Sequence, residues 1–323
     1  MRRRVLFQTL SCIGALLGAT TPAGAQEALP KLIRIVVPFS PGASNDAIAR
    51  VIAGPLSKRL DTSIVVENKP GAAGVIGADS VAKSPRDGSV VLLTSSTFLT
   101  AAATQPRMPY DPIAAFAPIA VVGQNPTLLA VSAALPFKTA KDLLTAARAR
   151  PDEFTYGSAG VGSIGHLVTE LLCSAAKVQM RHVPYKGAAN AAIDLAGGQI
   201  HVMMSSYSTL SAFLKSGKVR ALAVTSKQSY PAFPDLPPLI SIVPGFSNET
   251  WVGVLAPAGT PERHVERLNR EINEISAAPE MRTLLEADGM MAVAMMPSAF
   301  AARIKTELAQ WKRIAASRKI SAE

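Results

Sequence analysis

Two glycine-containing loops hold the residues of this chain best suited to chemistry. The first, residues 38–46, reads Pro38-Phe39-Ser40-Pro41-Gly42-Ala43-Ser44-Asn45-Asp46, and the second, residues 157–166, reads Gly157-Ser158-Ala159-Gly160-Val161-Gly162-Ser163-Ile164-Gly165-His166. Glycine allows close backbone approach, and Ser44, Asn45 and Asp46 are residue types that cap helices. Each loop lies where an apolar run gives way to a helical pattern, so each offers backbone N–H groups at a helix N-terminus. The dipole there favours an anion by about 0.3 to 1 kcal/mol, and each hydrogen bond to a carboxylate adds about 1.5 to 3 kcal/mol. Taken singly, either loop reads first as a tight turn; the pair points to a carboxylate site. A bulky β-branched residue at Gly162 is then expected to weaken binding at least tenfold, about 1.4 kcal/mol.

Other chemistries find less support. Gly160, Gly162 and Gly165 match the spacing of a dinucleotide loop, but the following run ends at Val183-Pro184-Tyr185 without the acid that would hold a ribose. His166, His182, His201 and His264 form no zinc spacing. Neither Ser158 nor Ser163 sits in a G-x-S-x-G elbow, since Tyr156 and Val161 stand two residues before them. His166 at a helix start reads as a local hydrogen-bonding residue, Lys186 after its Pro-Tyr turn faces solvent or cleft, and Cys173 falls on the apolar side of a helix. The sequence proposes no catalytic residue, metal ligand or cofactor. An exported hydrolase using Ser158 or Ser163 stays open as an alternative.

The elements that position the loops alternate. Residues 32–37, 63–67 and 90–93 read as strands, with helical spacing over 47–60 and a short helix over 74–82 between them. Runs at 119–122 and 128–131 precede a helix at 140–149, and the pattern restarts at 154–158. It continues through helices at 164–176 and 188–196 and apolar runs at 179–183, 200–204 and 221–225. After a proline-rich return over 231–244 come a strand at 251–256, a helix to Ile275 and a last helix over 298–316. This rhythm predicts an α/β fold with mainly parallel sheets in two lobes around a cleft, the usual place for a small ligand.

The first 25 residues read as an export leader. Arg2, Arg3 and Arg4 precede an apolar run over 5–19, and Ala23-Gly24-Ala25 supplies the small-residue cleavage pattern. Spanning a bilayer takes about 20 apolar residues, whereas Gln8, Thr9, Ser11 and Gly14 interrupt this run. Leu6-Phe7 suits Sec export better than a twin-arginine signal, and Thr9-Leu10-Ser11 before Cys12 is a poor lipobox. A periplasmic chain starting at Gln26, with no stable membrane anchor, is therefore expected. It keeps Cys173 as its one cysteine, so no internal disulfide forms. Losing 25 of 323 residues leaves 298, enough for two domains, and losing three arginines lowers the formal charge from +10 to +7. Basic residues are dispersed and aromatics are 5%, a pattern that speaks against nucleic acid while favouring anionic solutes.

Read in order, several segments resemble the Bug family, periplasmic receptors of tripartite tricarboxylate transporters. They include Pro38-Phe39-Ser40-Pro41-Gly42 with Asp46, then Val66-Glu67-Asn68-Lys69-Pro70-Gly71, and Pro85-Arg86-Asp87-Gly88. Further on come Tyr156-Gly157-Ser158-Ala159-Gly160, His182-Val183-Pro184-Tyr185-Lys186-Gly187, and Trp251-Val252-Gly253-Val254-Leu255-Ala256-Pro257. The resemblance implies a type II periplasmic-binding-protein fold that closes on a carboxylate and hands it to membrane transporter subunits, acting as a monomer. Lobe I would be 26–124 with 250–323, and lobe II 125–249. Candidate ligand contacts in lobe I are Phe39, Ser40, Gly42, Ala43, Ser44 and Asp46, with Ser95 and Thr97 after the strand at 90–93. In lobe II they are Ser158, Gly160, Gly162, Ser163 and His166, with Tyr185 and Ser205. Ala43 stands where the family usually has glycine, and His201 and Ser205 replace acids, which alters the far end of the expected site. A sensory protein with the same two lobes remains a further alternative, although no helix-turn-helix precedes the first lobe.

Overall fold

The computed structural model describes residues 29–322, so the leader read over 1–25 lies outside the described residues. The chain opens with β1 (Leu32–Val37), α1 (Ser44–Leu60), β2 (Ser63–Asn68), α2 (Val75–Ala82), β3 (Val90–Ser95), α3 (Thr97–Thr104) and β4 (Phe116–Pro126). It continues with β5 (Leu128–Ser132), α4 (Ala140–Ala149), β6 (Thr155–Ser158), α5 (Ile164–Ala176), β7 (Arg181–Pro184), α6 (Ala188–Ala196), β8 (Val202–Ser205), α7 (Tyr207–Lys215) and β9 (Val219–Val224). The return comprises β10 (Glu249–Pro257), α8 (Glu262–Ser276), α9 (Pro279–Ala287), β11 (Met291–Ala292) and α10 (Pro297–Ser317).

Two sheets result. The first runs β11-β4-β10-β3-β1-β2 and the second β7-β6-β8-β5-β9. Alternation along the strands divides the apolar residues between two faces. Ile33, Ile35 and Val37 of β1 share a core with Ile48, Ile52 and Leu56, spaced four apart on α1, while Val36 and Leu92 face the other way. The expectation of mainly parallel sheets needs correction, because both are mixed. β1 is parallel to β2 and β3, and β6 to β7 and β8, whereas β10 runs antiparallel to β3 and β4, and β5 to β8 and β9. The cause is the way the chain changes sheets. β4 and β5 are nearly one strand, leaving the first sheet for the second, and β10 lies beside β4 in the opposite direction on its way back. The second sheet thus begins at β5, ahead of the restart at 154–158.

Those two crossings are stitched together. Thr127 N–H donates to Thr225 Oγ1 at 2.9 Å, the Thr225 hydroxyl donates to the Asn248 carbonyl at 2.6 Å, and Asn248 N–H returns to the Thr225 carbonyl at 2.8 Å. On α10, Arg303 donates to the Glu249 carbonyl and to Gln124 Oε1, bracing the same junction. The end of α10 also reaches the second sheet's helices, where Arg318 pairs with Glu170 of α5 at 3.0 Å. Beyond it, Ala322 N–H donates to the Thr104 carbonyl at 3.0 Å.

Candidate ligand-binding site

Three strands, one in the first sheet and two in the second, end on a serine and lead into a helix. Ser95 is the last residue of β3, Ser158 of β6 and Ser205 of β8. These three edges face one cavity of about 270 Å³, whose walls come from both sheets. The first residues of five helices line it: Ser44 and Asn45 of α1, Ser96 and Thr97 at α3, Ile164 and Gly165 of α5, Ala188 of α6, and Ser206 and Ser208 at α7. Asn125, Thr127 and Thr250 from the strand crossings add further polar groups, and Met203, Met204, Met290 and Trp251 supply the apolar surface. No lysine or arginine lines it, and Asp288 is its one ionisable side chain among the described residues. A positive potential in this cavity therefore comes from backbone amides and helix dipoles.

Of the expected contacts, Ser44, Ser95, Thr97, Ser158 and Ser205 line the cavity, and the remainder are outside its lining. Asp46 is buried and organises the first loop. Its carboxylate accepts from Gly42 N–H at 2.9 Å, from Arg50 Nε at 3.0 Å and from Asn68 Nδ2 at 2.9 Å. The Arg50 hydrogen bond, with those from Gly42 and Asn68, outweighs burial and lowers its pKa to about 2. Gly42, at φ +81°, and Ala43 shape that turn, Ser40 is exposed at its tip, and Phe39 packs on the core under it.

The second loop likewise satisfies itself. Gly160 N–H donates to Ser158 Oγ at 3.2 Å, Gly162 N–H donates to His166 Nδ1 at 3.1 Å, and Ser163 Oγ caps α5 by accepting from His166 N–H. The glycine amides expected to meet a ligand are therefore engaged within the loop. The Tyr185 hydroxyl donates to Asp194 on α6 at 2.7 Å.

Beneath Ser158 lies a feature that sequence reasoning did not anticipate. Ser158 Oγ is 2.7 Å from His182 Nε2 and 3.0 Å from the Gly160 carbonyl, to which it donates. His182 stacks on His166 with ring centroids 3.8 Å apart. Burial lowers both imidazoles to about 4, helped for His166 by its neighbour, so the pair is neutral near pH 7. Cys173 is in the core, and its thiol is pushed up to about 12 chiefly by burial. His201 spends Nδ1 on Thr155 N–H at 2.9 Å. Among the described residues there is no group of acids, histidines and cysteines able to hold a metal, and no helix is long and apolar enough to cross a membrane.

The lining residues of α7 and of the crossings were also missed. A detectable signal existed in two strand-to-helix junctions dense in hydroxyls, Ser95-Ser96-Thr97 and Ser205-Ser206-Tyr207-Ser208-Thr209.

Comparison with known proteins gives this architecture its relatives. The profile of the family described as "Tripartite tricarboxylate transporter family receptor" matches residues 48–320. A UPF0065 protein from the tcbD-tcbE intergenic region of Pseudomonas sp. (strain P51) is 37% identical, covering 99% of this chain and 96% of that one. Protein BugT of Bordetella pertussis is 33% identical over 95% of this chain and 96% of its own. Among solved structures, "R. palustris Rpa4515 with adipate" superposes with a TM-score of 0.76 at 34% identity, covering 90% of this chain and 98% of that one. With the fold of solute-binding proteins and a sequence match across most of its length, the chain belongs to the tripartite tricarboxylate transporter receptor family.

Proposed function

We propose that this protein is a periplasmic receptor that captures a small organic acid and presents it to the membrane subunits of a tripartite transporter. The observation that carries the reading is the convergence of five helix N-termini on one hydroxyl-rich cavity without a cation. Such a lining favours a carboxylate and lets it leave again, because its positive potential is spread over amides rather than fixed in an ion pair. The adipate named for the R. palustris relative supports the same class of ligand. Ser44, Ser95, Thr97, Ser158 and Ser205 are the proposed ligand contacts, together with Asn125 and Thr250. The two lobes of the proposal are 26–124 with 250–323 and 125–249.

Binding, not turnover, is the proposed activity. Ser158 and His182 are close enough for a nucleophile and its base, but the Ser158 hydroxyl donates its proton to the Gly160 carbonyl rather than to the imidazole. The protein acts as a monomer, binds no nucleic acid and is released into the periplasm when the leader is cut after Ala25. Native mass spectrometry of protein purified from the periplasm should reveal a monomer carrying an organic acid, with Gln26 as its first residue. Calorimetry with the identified acid should give one saturable site and no product. Consumption of the acid, or no affinity for any small carboxylate, would overturn the reading.

A further inference from the structure

The one ionisable side chain of the cavity lining is a carboxylate, in a site whose backbone favours anions. Asp288 follows the last turn of α9, and its carboxylate accepts a hydrogen bond from the Ser44 hydroxyl at the start of α1. The next residue fixes its position. Gly289 has φ +68° and lies so close to the second half of the molecule that a Cβ there would be 2.8 Å from Phe233 Cζ and 3.1 Å from Tyr207 Cβ. Met290 follows, buried and also in the lining. Residues 288–290 thus reach across from the first sheet's helices and hold a negative charge at the α1 end of the cavity. An anion is well placed at a helix N-terminus, and at α1 Asp288 already supplies it. The solute's own carboxylate is left the N-termini of α3, α5, α6 and α7, with Thr97, Ser158, Ser205 and Thr209.

Resting on the carboxylate reading above, we propose that Asp288 determines specificity for the far end of the solute, selecting a monocarboxylate whose distal group donates a hydrogen bond. A hydroxyl or an ammonium group meets this requirement, since a donor facing a carboxylate makes a charge-assisted bond. A second carboxylate does not, because two like charges in one partly desolvated site repel.

The test is calorimetry on the full periplasmic protein and on Asp288→Asn, with straight-chain acids of three to six carbons. Each length carries a distal methyl, hydroxyl, ammonium or carboxylate group. At the best length, the wild type should bind the hydroxy or amino acid at least tenfold more tightly than the dicarboxylate. Asp288→Asn should reduce that ratio at least tenfold by gaining affinity for the dicarboxylate. The hydroxyl and ammonium arms tell the two donors apart, since only the ammonium acid should lose most of its affinity when the charge is removed. A wild-type preference for dicarboxylates, or an unchanged ratio in a folded variant, overturns this inference and leaves the receptor reading standing. Binding of none of the acids overturns both. Should Asp288→Asn not fold, the wild-type ratio alone decides.

Discussion

His166 and His182 store a pH dependence beneath the cavity. Both fall from an ordinary 6.5 to about 4 because burial disfavours the imidazolium. The unfolded chain takes up two protons below about 6.5 that the folded chain refuses, so stability present at pH 7 is lost as the pH falls from 6.5 towards 4. Denaturant titrations at pH 7 and pH 5 should differ by on the order of 2 kcal/mol for the pair, after allowance for solvent screening. A His182→Asn variant should flatten the difference, and an unchanged slope would show that the pair does not titrate in this way. At this scale the sequence was legible where a residue type fits a strand end, as with Ser95, Ser158 and Ser205. It was less legible where a loop residue turns inward. Asp46 looked like a ligand contact and is a buried brace, because sequence does not reveal that Arg50 and Asn68 lie beside it. Asp288 and Met290 gave no local signal, as they join the cavity from a helix far along the chain.

Strands and long helices were read to within a few residues, since a run such as Leu32–Val37 or the four-residue spacing of α1 has one comfortable arrangement. The short helices α3, α7 and α9 were not read, although α2 and α6 of the same length were; α3 is buried almost all round and α7 buries only Leu210, so neither carries a one-sided apolar stripe. Two of these three present their N-termini to the cavity. Among the elements, the crossing of β4–β5 with the β9–β10 return depends on Thr225. Its hydroxyl accepts from Thr127 N–H and donates to the Asn248 carbonyl in a fully buried setting. Thr225→Val keeps the shape and leaves both partners unsatisfied, so unfolding free energy should fall by roughly 2 to 4 kcal/mol. A loss below about 0.5 kcal/mol would mean that the crossing does not rely on it. Gly162 has a revised outcome. A Cβ there would be 2.6 Å from Thr104 Oγ1, against α3, and the residue sits at φ +77°. Gly162→Val should therefore destabilise the fold by about 1 to 3 kcal/mol. Tenfold weaker binding at unchanged melting temperature would restore the direct ligand contact.

Across the whole molecule, two strand crossings and the end of α10 connect the halves on either side of the cavity. A solute held by both halves binds the closed arrangement better than an open one and shifts the balance towards it. Small-angle scattering should give a smaller radius of gyration when the acid is added to stripped protein. The melting temperature should rise with it, by the equivalent of about 2.7 kcal/mol at a hundredfold excess over Kd. A thermal shift without compaction would retain binding and reject closure. Trp251, on the strand that returns through the crossing, gives the cavity an optical signal of its own. Trp251 is among the lining residues, and its fully buried indole donates to Glu307 at 2.9 Å and packs edge-on against Phe300, whereas Trp311, the second of the chain's two tryptophans, is buried on α10 away from the lining. Solute arriving beside this strand changes the electric field at a fixed, buried, hydrogen-bonded fluorophore, so emission should change in wavelength and yield as the site fills. With Trp311→Phe the remaining indole becomes a single built-in dye, and unlabelled protein in a stopped-flow cell can report how fast the solute comes and goes.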